Sequence, residues 1–411
     1  MRCIRMKRIS NLCILAAALV FLCAVPAGVL AQQGGPGPIE VNGSSFVPER
    51  LEFSEELLDD LNLPEGFEVN VFARDLVKPR IITVGDDGTV YVTQPEESQV
   101  TALRDTDGDG AADEEEVVVS GIEYLHGITY HNNSLYLATP TEIYVAAVGP
   151  DGSVGDAELL INGLPDGGQH PNRTLRFGPD GRLYVSVGSS CNACPEQNPE
   201  YATMLQIEDT ERRIYAEGLR NTIGFDWHPE TGEFWAFDQG SDWRGPDRPP
   251  EELNRIQEGG NYGWPWCYGK QQIDTVIAQD PPNMTREEFC SMSVPSYLEY
   301  QAHSSPMQFV FYDSEQFPEE YQNDAFLTLR GSWNRYPPVG YKVVRVQFND
   351  AGDPEGFEDF MTGFLHDNDT AFSARLCGLA IAEDGSLLVG DDTNGVIYRV
   401  SYAGADNTTT G

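Results

Sequence analysis

Positive charge is what this chain has least of. Its 411 residues hold 26 Lys and Arg against 65 Asp and Glu, a formal net charge of −39 at pH 7. A protein that neutralises nucleic-acid phosphates needs the reverse balance, so the deficit excludes phosphate-backbone binding and fits a soluble exported protein. Hydrophobic runs long enough to span a bilayer are also missing; the apolar run at 12–25 is short for that task and ends in Pro26 and Gly28. Helical patterning is scarce. Only 54–62 and 285–290 read as helix, the first opening on Ser54, a residue suited to cap it. Cysteine is sparse, eight in all.

The amino terminus accounts for several of these residues. Arg2, Arg5, Lys7 and Arg8 precede the apolar run, and Val29-Leu30-Ala31 supplies small residues at cleavage positions, so 1–31 reads as a secretory signal peptide. Its removal takes four of the basic residues and no acidic one, and leaves no transmembrane segment. The expected location is periplasmic or secreted. Residues 32–63 read as an N-terminal extension that opens on the flexible QQGGPGPIE, and 403–411 as a tail. Cys3, Cys13 and Cys23 leave with the signal. Cys267 and Cys290 flank one insertion and are the first expected disulfide in an exported chain. Cys191 and Cys194 form a lone CxxC, for which a disulfide is favoured over zinc, and Cys377 is left as a buried thiol.

Between 64 and 402 one unit recurs: a short apolar strand, a turn often containing Asp-Gly, and an alternating strand. The copies are ITVGDDGTVYV (82–92), ITYHNNSLYLA (128–138), LRFGPDGRLYVSV (175–187), FDWHPETGEFWAF (225–237), a looser FYDSEQFPEEYQNDAFLTL (311–329) and LAIAEDGSLLVG (379–390). Asp-Gly between alternating strands is a hairpin signal. Six such units predict an all-β fold, a six-bladed β-propeller with four-stranded antiparallel blades. The segment 67–72 is expected to close the ring by adding a strand to the last blade. A long insertion, 243–303, is predicted between the fourth and fifth blades.

Three groups of residues carry chemistry. His170 stands in a Gly-rich loop just before the third unit, with Arg173 close behind, and is a candidate general base. Asp105, Asp107, Asp109, Asp113 and Glu116 occupy positions 1, 3, 5, 9 and 12 of a calcium-loop pattern, with Gly110 at the sharp turn. This predicts a structural calcium site at a hairpin tip; the alternative is a solvated acidic turn. Arg220, Arg330 and Arg375 each flank an inner-strand region of a different blade. Arginines converging in so acidic a chain point to an anionic target, a small polycarboxylate in particular.

Taken together, GGQH…TLRFGPDGRLYVSVGSSCNAC, AEGLRN…GF, ELNRI…GGNYGWPWCYG, GSWNR…VGYKVVRV and DGSLLVGDD resemble the glucose/sorbosone dehydrogenase family, nearer its sorbosone dehydrogenase-like branch. These are exported six-bladed propellers that use pyrroloquinoline quinone (PQQ). The resemblance covers about 64–402. It implies that His170 takes the proton of the sugar hydroxyl, that Arg220 and Asn221 lie at the quinone, and that Arg375 holds a PQQ carboxylate. It also implies that the backbone carbonyls of Gly240 and Ser241 hold a Ca2+ bridging protein and cofactor, with Asp242 as an extra ligand. Arg80 and Arg330 match cofactor-contacting positions, although members of the branch often carry His where Arg330 stands. His126 and His303 fall near blade entrances on the substrate side. The implied reaction is the PQQ- and calcium-dependent oxidation of a sugar hydroxyl or hemiacetal, with electrons passing on to a quinone or a cytochrome. Two other readings stay open: a propeller lactonase, which wants an axial carboxylate cluster, and a non-catalytic propeller that binds carbohydrate or protein.

Overall fold

Strict alternation in the repeats sends every second side chain into the space between neighbouring sheets, and the computed structural model shows the outcome. It describes residues 43–404 except 167 and 278, within one compact unit, Glu40–Gly411. The predicted signal peptide, the start of the N-terminal extension and most of the C-terminal tail lie outside the described residues.

Each repeat forms the two innermost strands of an antiparallel sheet. The first sheet holds Ile82–Val84, Val90–Gln94, Gln99–Arg104 and Glu114–Ser120; the second Gly127–Tyr130, Ser134–Ala138, Ile143–Ala147 and Glu158–Ile161. The third holds Leu175–Phe177, Leu183–Val187, Thr203–Glu208 and Glu211–Glu217, the fourth Thr222–Trp227, Phe234–Asp238, Glu251–Arg255 and Leu298–Tyr300. The fifth holds Pro306–Phe311, Ala325–Leu329, Lys342–Phe348 and Pro354–Met361. The sixth joins Leu376–Ile381, Leu387–Asp391 and Val396–Tyr402 to Phe67–Ala73, which pairs antiparallel with the last of these and closes the ring as predicted. Successive sheets touch through their inner strands, and the sixth touches the first. The fold is a β-propeller.

Six hydrophobic clusters fill the six gaps between neighbouring sheets. A large apolar side chain buried in such a gap contributes roughly 1.5–3 kcal/mol. The closure is especially aromatic: the Phe67 ring meets Phe317, Tyr321, Phe360 and Tyr402 with centroids 4.8 to 5.1 Å apart. Three of the inner turns use one device. Asp87, Asp180 and Asp384 each accept the N–H two residues on, at 3.0 to 3.1 Å. The intervening Gly88, Gly181 and Gly385 take φ of 79°, 75° and 85°, where a side chain is strained.

Two expectations are corrected. The insertion predicted at 243–303 contains Glu251–Arg255 and Leu298–Tyr300, which are the outer strands of the fourth sheet. Two carboxylates at the head of Glu251–Arg255 hide its strand character. Only the loop between these strands is extra, and its Gly260–Asn261 pairs parallel with the outer edge of the third sheet. The segment predicted as a Ser54-capped helix is a short 3-10 turn, Glu55–Asp60, with no side-chain cap bond from Ser54. The other predicted helix is Arg286–Met292, opened by a capping box between Thr285 and Glu288. Cys191–Cys194 and Cys267–Cys290 are disulfides, and Cys377 is a buried thiol. Among the described residues no helix is long and apolar enough to cross a membrane.

Candidate active site

The central channel has two unlike ends. The bodies and far turns of the innermost strands line a cavity of about 510 Å3. The loops that lead into those strands line another, of about 390 Å3, walled by Lys78, Arg80, His126, Asn221, Arg330 and Asp392 among others. Of the residues that sequence patterning singled out, Arg80, His126, Asn221 and Arg330 line this second cavity.

Three arginines gather there around one carboxylate. Arg330 grips Asp392 with both arms, Nε to Oδ2 at 2.9 Å and a terminal nitrogen to Oδ1 at 3.1 Å. Arg80 donates to the same Oδ2. Arg375 donates to the carbonyls of Arg330 and Gly331 at 3.2 and 2.6 Å; burial and the neighbouring Arg330 charge lower its pKa to about 10. Asp392 cannot neutralise three guanidinium groups, so the mouth is cationic in a strongly anionic chain. That imbalance fits a polycarboxylate bound among Arg80, Arg330 and Arg375.

Arg220 and Asn221 enter the fourth sheet beside this cluster. Their backbone N–H groups donate to Asp238 at 2.9 and 2.8 Å. Asp391 holds the N–H of Arg375 in the sixth sheet in the same way, at 2.9 Å. Both acids close the second strand of their sheet and are buried, which pushes their carboxyls up to about 6 and about 7. The Arg220 side chain is buried and satisfied by Asn192, whose carbonyl and Oδ1 each accept at 2.9 Å, and by Asp242 at 3.0 Å. Asn221 donates to Gln239 at 3.0 Å.

The Gly240–Ser241–Asp242 loop is propped from below. Glu251 accepts the Gly240 N–H at 3.0 Å and is pushed up to about 7 by burial. Trp264, just ahead of the loop that the Cys267–Cys290 disulfide closes, donates to Ser241 Oγ at 3.2 Å. Among the described residues no hydrogen bond reaches the carbonyl oxygen of Gly240 or Ser241, as a cation-binding pair requires. Asp242 is otherwise engaged: Oδ1 accepts from Asn334 at 2.7 Å and Oδ2 from Arg220.

The three candidate histidines differ in one decisive respect. His126 Nδ1 faces the Arg173 carbonyl at 3.0 Å and Nε2 faces Arg80 at 3.4 Å. His303 Nε2 faces the Gly245 carbonyl at 2.8 Å and Nδ1 faces Asn334 at 3.2 Å. Both rings are used up. His170 Nδ1 lies 2.8 Å from Ser189 Oγ and 3.2 Å from the Ser189 carbonyl, and its Nε2 has no hydrogen-bond partner among the described residues. Burial, and then the Arg220 charge, lower the His170 pKa to about 3, so the ring is neutral at pH 7. A Cβ at Gly188 would stand 2.6 Å from His170 Cβ and 3.0 Å from Asn221 Oδ1. Glycine there lets His170 and Asn221 approach each other.

The acidic loop lies at the other end of the molecule, between the third and fourth strands of the first sheet. Side-chain oxygens of Asp105, Asp107 and Asp109 come within 4.8 Å of one another. Asp113 accepts from Thr106 and Asp107 with one oxygen, and Glu116 pairs with Arg104 at 3.3 Å. The structure therefore gathers three of the five predicted ligands, whose oxygens also accept N–H groups of their own turn, and leaves Asp113 and Glu116 out of that group. Ser189, Asn192, Asn334 and Asp392 escaped sequence reasoning. All four lie inside the motifs GSSCNAC, GSWNR and DGSLLVGDD, and Asp392 carried a further signal as the second acid of a doubled Asp ending a repeat strand.

A TrAA12-like family model matches residues 61–403. A Borreliella burgdorferi protein whose name states no activity is 28% identical over 365 residues, 85% of this chain and 93% of its own. A Hypocrea jecorina PQQ-dependent sugar dehydrogenase is 22% identical, over 83% of this chain and 89% of its own. The chain spans about half, 54%, of a Coprinopsis cinerea PQQ-dependent pyranose dehydrogenase. Among solved structures, the calcium structure of a Trichoderma reesei Carbohydrate-Active Enzymes Family AA12 protein superposes with a TM-score of 0.73 at 22% identity, covering 83% of this chain and 97% of that one. The holo PQQ domain of the Coprinopsis cinerea pyranose dehydrogenase does so with a TM-score of 0.70 at 21% identity, over 87% and 100%.

Proposed function

This chain belongs to the TrAA12-like family, and from that premise we propose that it is an exported, PQQ- and calcium-dependent sugar dehydrogenase that oxidises a sugar hydroxyl or hemiacetal. Two observations support the reading: Arg80, Arg330 and Arg375 gather around the single carboxylate of Asp392, and His170, close to Asn221, has a neutral ring whose Nε2 has no hydrogen-bond partner among the described residues. Relatives named as PQQ-dependent sugar and pyranose dehydrogenases support it.

When bound, PQQ supplies the hydride acceptor and Ca2+ polarises its carbonyl as a Lewis acid. Arg80, Arg330 and Arg375 hold carboxylates by charge-assisted bonds. The Gly240 and Ser241 carbonyls offer oxygens to the calcium, and Asp242 holds Arg220 in place. His170 removes the hydroxyl proton at Nε2, leaving the adjacent C–H free to leave as hydride. The buried Arg220 guanidinium stabilises negative charge developing close by, where little water screens it. The sugar enters from the periplasm or the outside medium, and a quinone or cytochrome takes the electrons onward. The layout proposed is a signal at 1–31, an extension at 32–63, the propeller at 64–402 and a tail at 403–411.

The test is reconstitution. Purified protein is titrated with PQQ and Ca2+, the cofactor spectrum is followed, and aldoses and alcohols are added with an artificial acceptor. The expected outcome is sugar-dependent bleaching of bound PQQ. Absence of PQQ binding overturns the proposal; lactone hydrolysis without PQQ would point to the hydrolase reading instead.

A further inference from the structure

We propose that the disulfide-closed loop Cys191–Cys194, with Ser189 at its foot, is the positioning device of the site: Ser189 fixes the His170 tautomer with the proton on Nδ1, and Asn192 fixes Arg220. The inference rests on the reading of His170 as the base.

The tautomer follows from counting hydrogens. Ser189 Oγ has one hydrogen, and it is donated to the Cys191 carbonyl at 2.7 Å. Toward His170, 2.8 Å away, that oxygen therefore offers only a lone pair. The other group facing Nδ1 is the Ser189 carbonyl, at 3.2 Å, which can only accept. Two acceptors at one ring nitrogen require the proton there. A neutral imidazole has one such proton, so Nε2 is left bare. A free histidine side chain favours the opposite form, with the proton on Nε2. Ser189 is fully buried and its N–H is spent on the Arg220 carbonyl at 2.8 Å, so water has no access to take over its role.

The same loop grips the arginine. The Asn192 carbonyl accepts from Arg220 Nε at 2.9 Å, and its Oδ1 accepts from Arg220 at 2.9 Å and from the Asp242 N–H at 2.8 Å. Its Nδ2 donates to the Asp242 carbonyl at 3.1 Å. The two carbonyls that do this, of Cys191 and Asn192, lie inside the ring closed by the disulfide. Glu196 ties down the loop's entry by accepting the Ser190 N–H at 2.7 Å and hydroxyl at 2.5 Å. One covalent clamp thus serves base and guanidinium together, and Ser189 and Asn192 are positioning residues that act through them.

The experiment begins with full-length mature protein without cofactor, labelled with 15N histidine and observed at neutral pH by long-range 15N–1H correlation. The His170 signals are those lost in His170→Gln. The expected wild-type pattern is protonated Nδ1 and bare Nε2. In Ser189→Ala the population shifts toward Nε2–H, and single-turnover reduction of PQQ by an oxidisable sugar slows on the order of 10–100-fold with PQQ affinity retained. Asn192→Ala leaves the tautomer in place and weakens PQQ binding. Wild-type protein carrying its proton on Nε2 overturns the inference by itself, whether or not a variant folds. An unchanged tautomer in folded Ser189→Ala overturns the role given to the Ser189 hydroxyl, because the main-chain carbonyl at 3.2 Å is kept in that variant, and unchanged PQQ affinity in Asn192→Ala overturns the arginine half. The expected tautomers together with a fully active His170→Gln sustain the positioning and overturn the base assignment instead.

Discussion

The two ends of the channel are built by different rules. At the turn end, Asp87, Asp180 and Asp384 each satisfy an N–H two residues away in their own hairpin, and single bonds such as Arg176–Asp226 at 3.0 Å and Tyr312 to the Gly385 carbonyl at 2.9 Å tie neighbouring sheets pairwise. At the strand-start end, side chains reach across to other sheets and the links run all the way round. Arg80 joins the first sheet to Asp392 of the sixth and to His126 of the second. His126 bonds to Arg173 before the third, and Asn192 of the third holds Arg220 of the fourth. Asp242 is held by Asn334 of the fifth, and Arg330 returns to Asp392. The lesson is that a repeat fold reuses one device, the Asp-Gly turn, where each hairpin closes on itself, and gives each loop different residues where the loops form a continuous polar ring.

If that division holds, changes at the ring end remove function with little loss of fold, and changes at the turn end do the reverse. The largest effect is expected for His170→Gln: turnover falls by roughly 10²–10⁴ with PQQ binding and thermal midpoint retained, read by single-turnover reduction. Loss of the fold along with activity would break the comparison. Next come Arg220→Ala and Arg375→Ala, each removing charge-assisted bonds worth about 1.5–3 kcal/mol, hence roughly 10–150-fold weaker PQQ binding by equilibrium titration. At the other end, Asp180→Ala removes the acceptor for Arg182 and Tyr184 and is expected to cost about 0.5–1.5 kcal/mol of stability while turnover stays at the wild-type level.

A fourth experiment sharpens the comparison through pH. His170 accepts a proton only when neutral, and its pKa is lowered from 6.5 to about 3 in the protein without cofactor. An anionic group bound among the arginines moves it back up, because the imidazolium then gains an opposite charge. The acidic limb of kcat/KM is therefore expected below pH 6.5, with activity lost as pH falls through it, and absent in His170→Gln. A wild-type limb above pH 6.5 contradicts this. The smallest effect is expected at the acidic loop: Asp105→Ala with Asp107→Ala should abolish any rise of thermal midpoint with added Ca2+ and leave turnover intact. A wild-type midpoint indifferent to Ca2+ identifies that loop as a solvated turn.

How much of this was legible beforehand depended on distance along the chain. The hairpins, the Asp-Gly turns, the helix near 285–290 and both disulfide pairs follow from residues near one another or from elimination among few cysteines, and the strand at Phe67 was legible as the piece left over to complete the last blade. Their physics is local alternation, backbone φ and loop closure, all of which are written into neighbouring letters. The family motifs likewise marked His170, Arg220, Asn221 and Arg375. Tertiary structure alone decided which of three histidines keeps a free nitrogen. It decided that Asp392 gathers arginines from two other sheets, one of them 312 residues away in sequence. It also turned Glu116 to Arg104 and gave Asp242 to Arg220 and Asn334. A buried polar atom takes whichever partner folding brings within about 3 Å, and that choice is made between sheets, after the local signals have been spent.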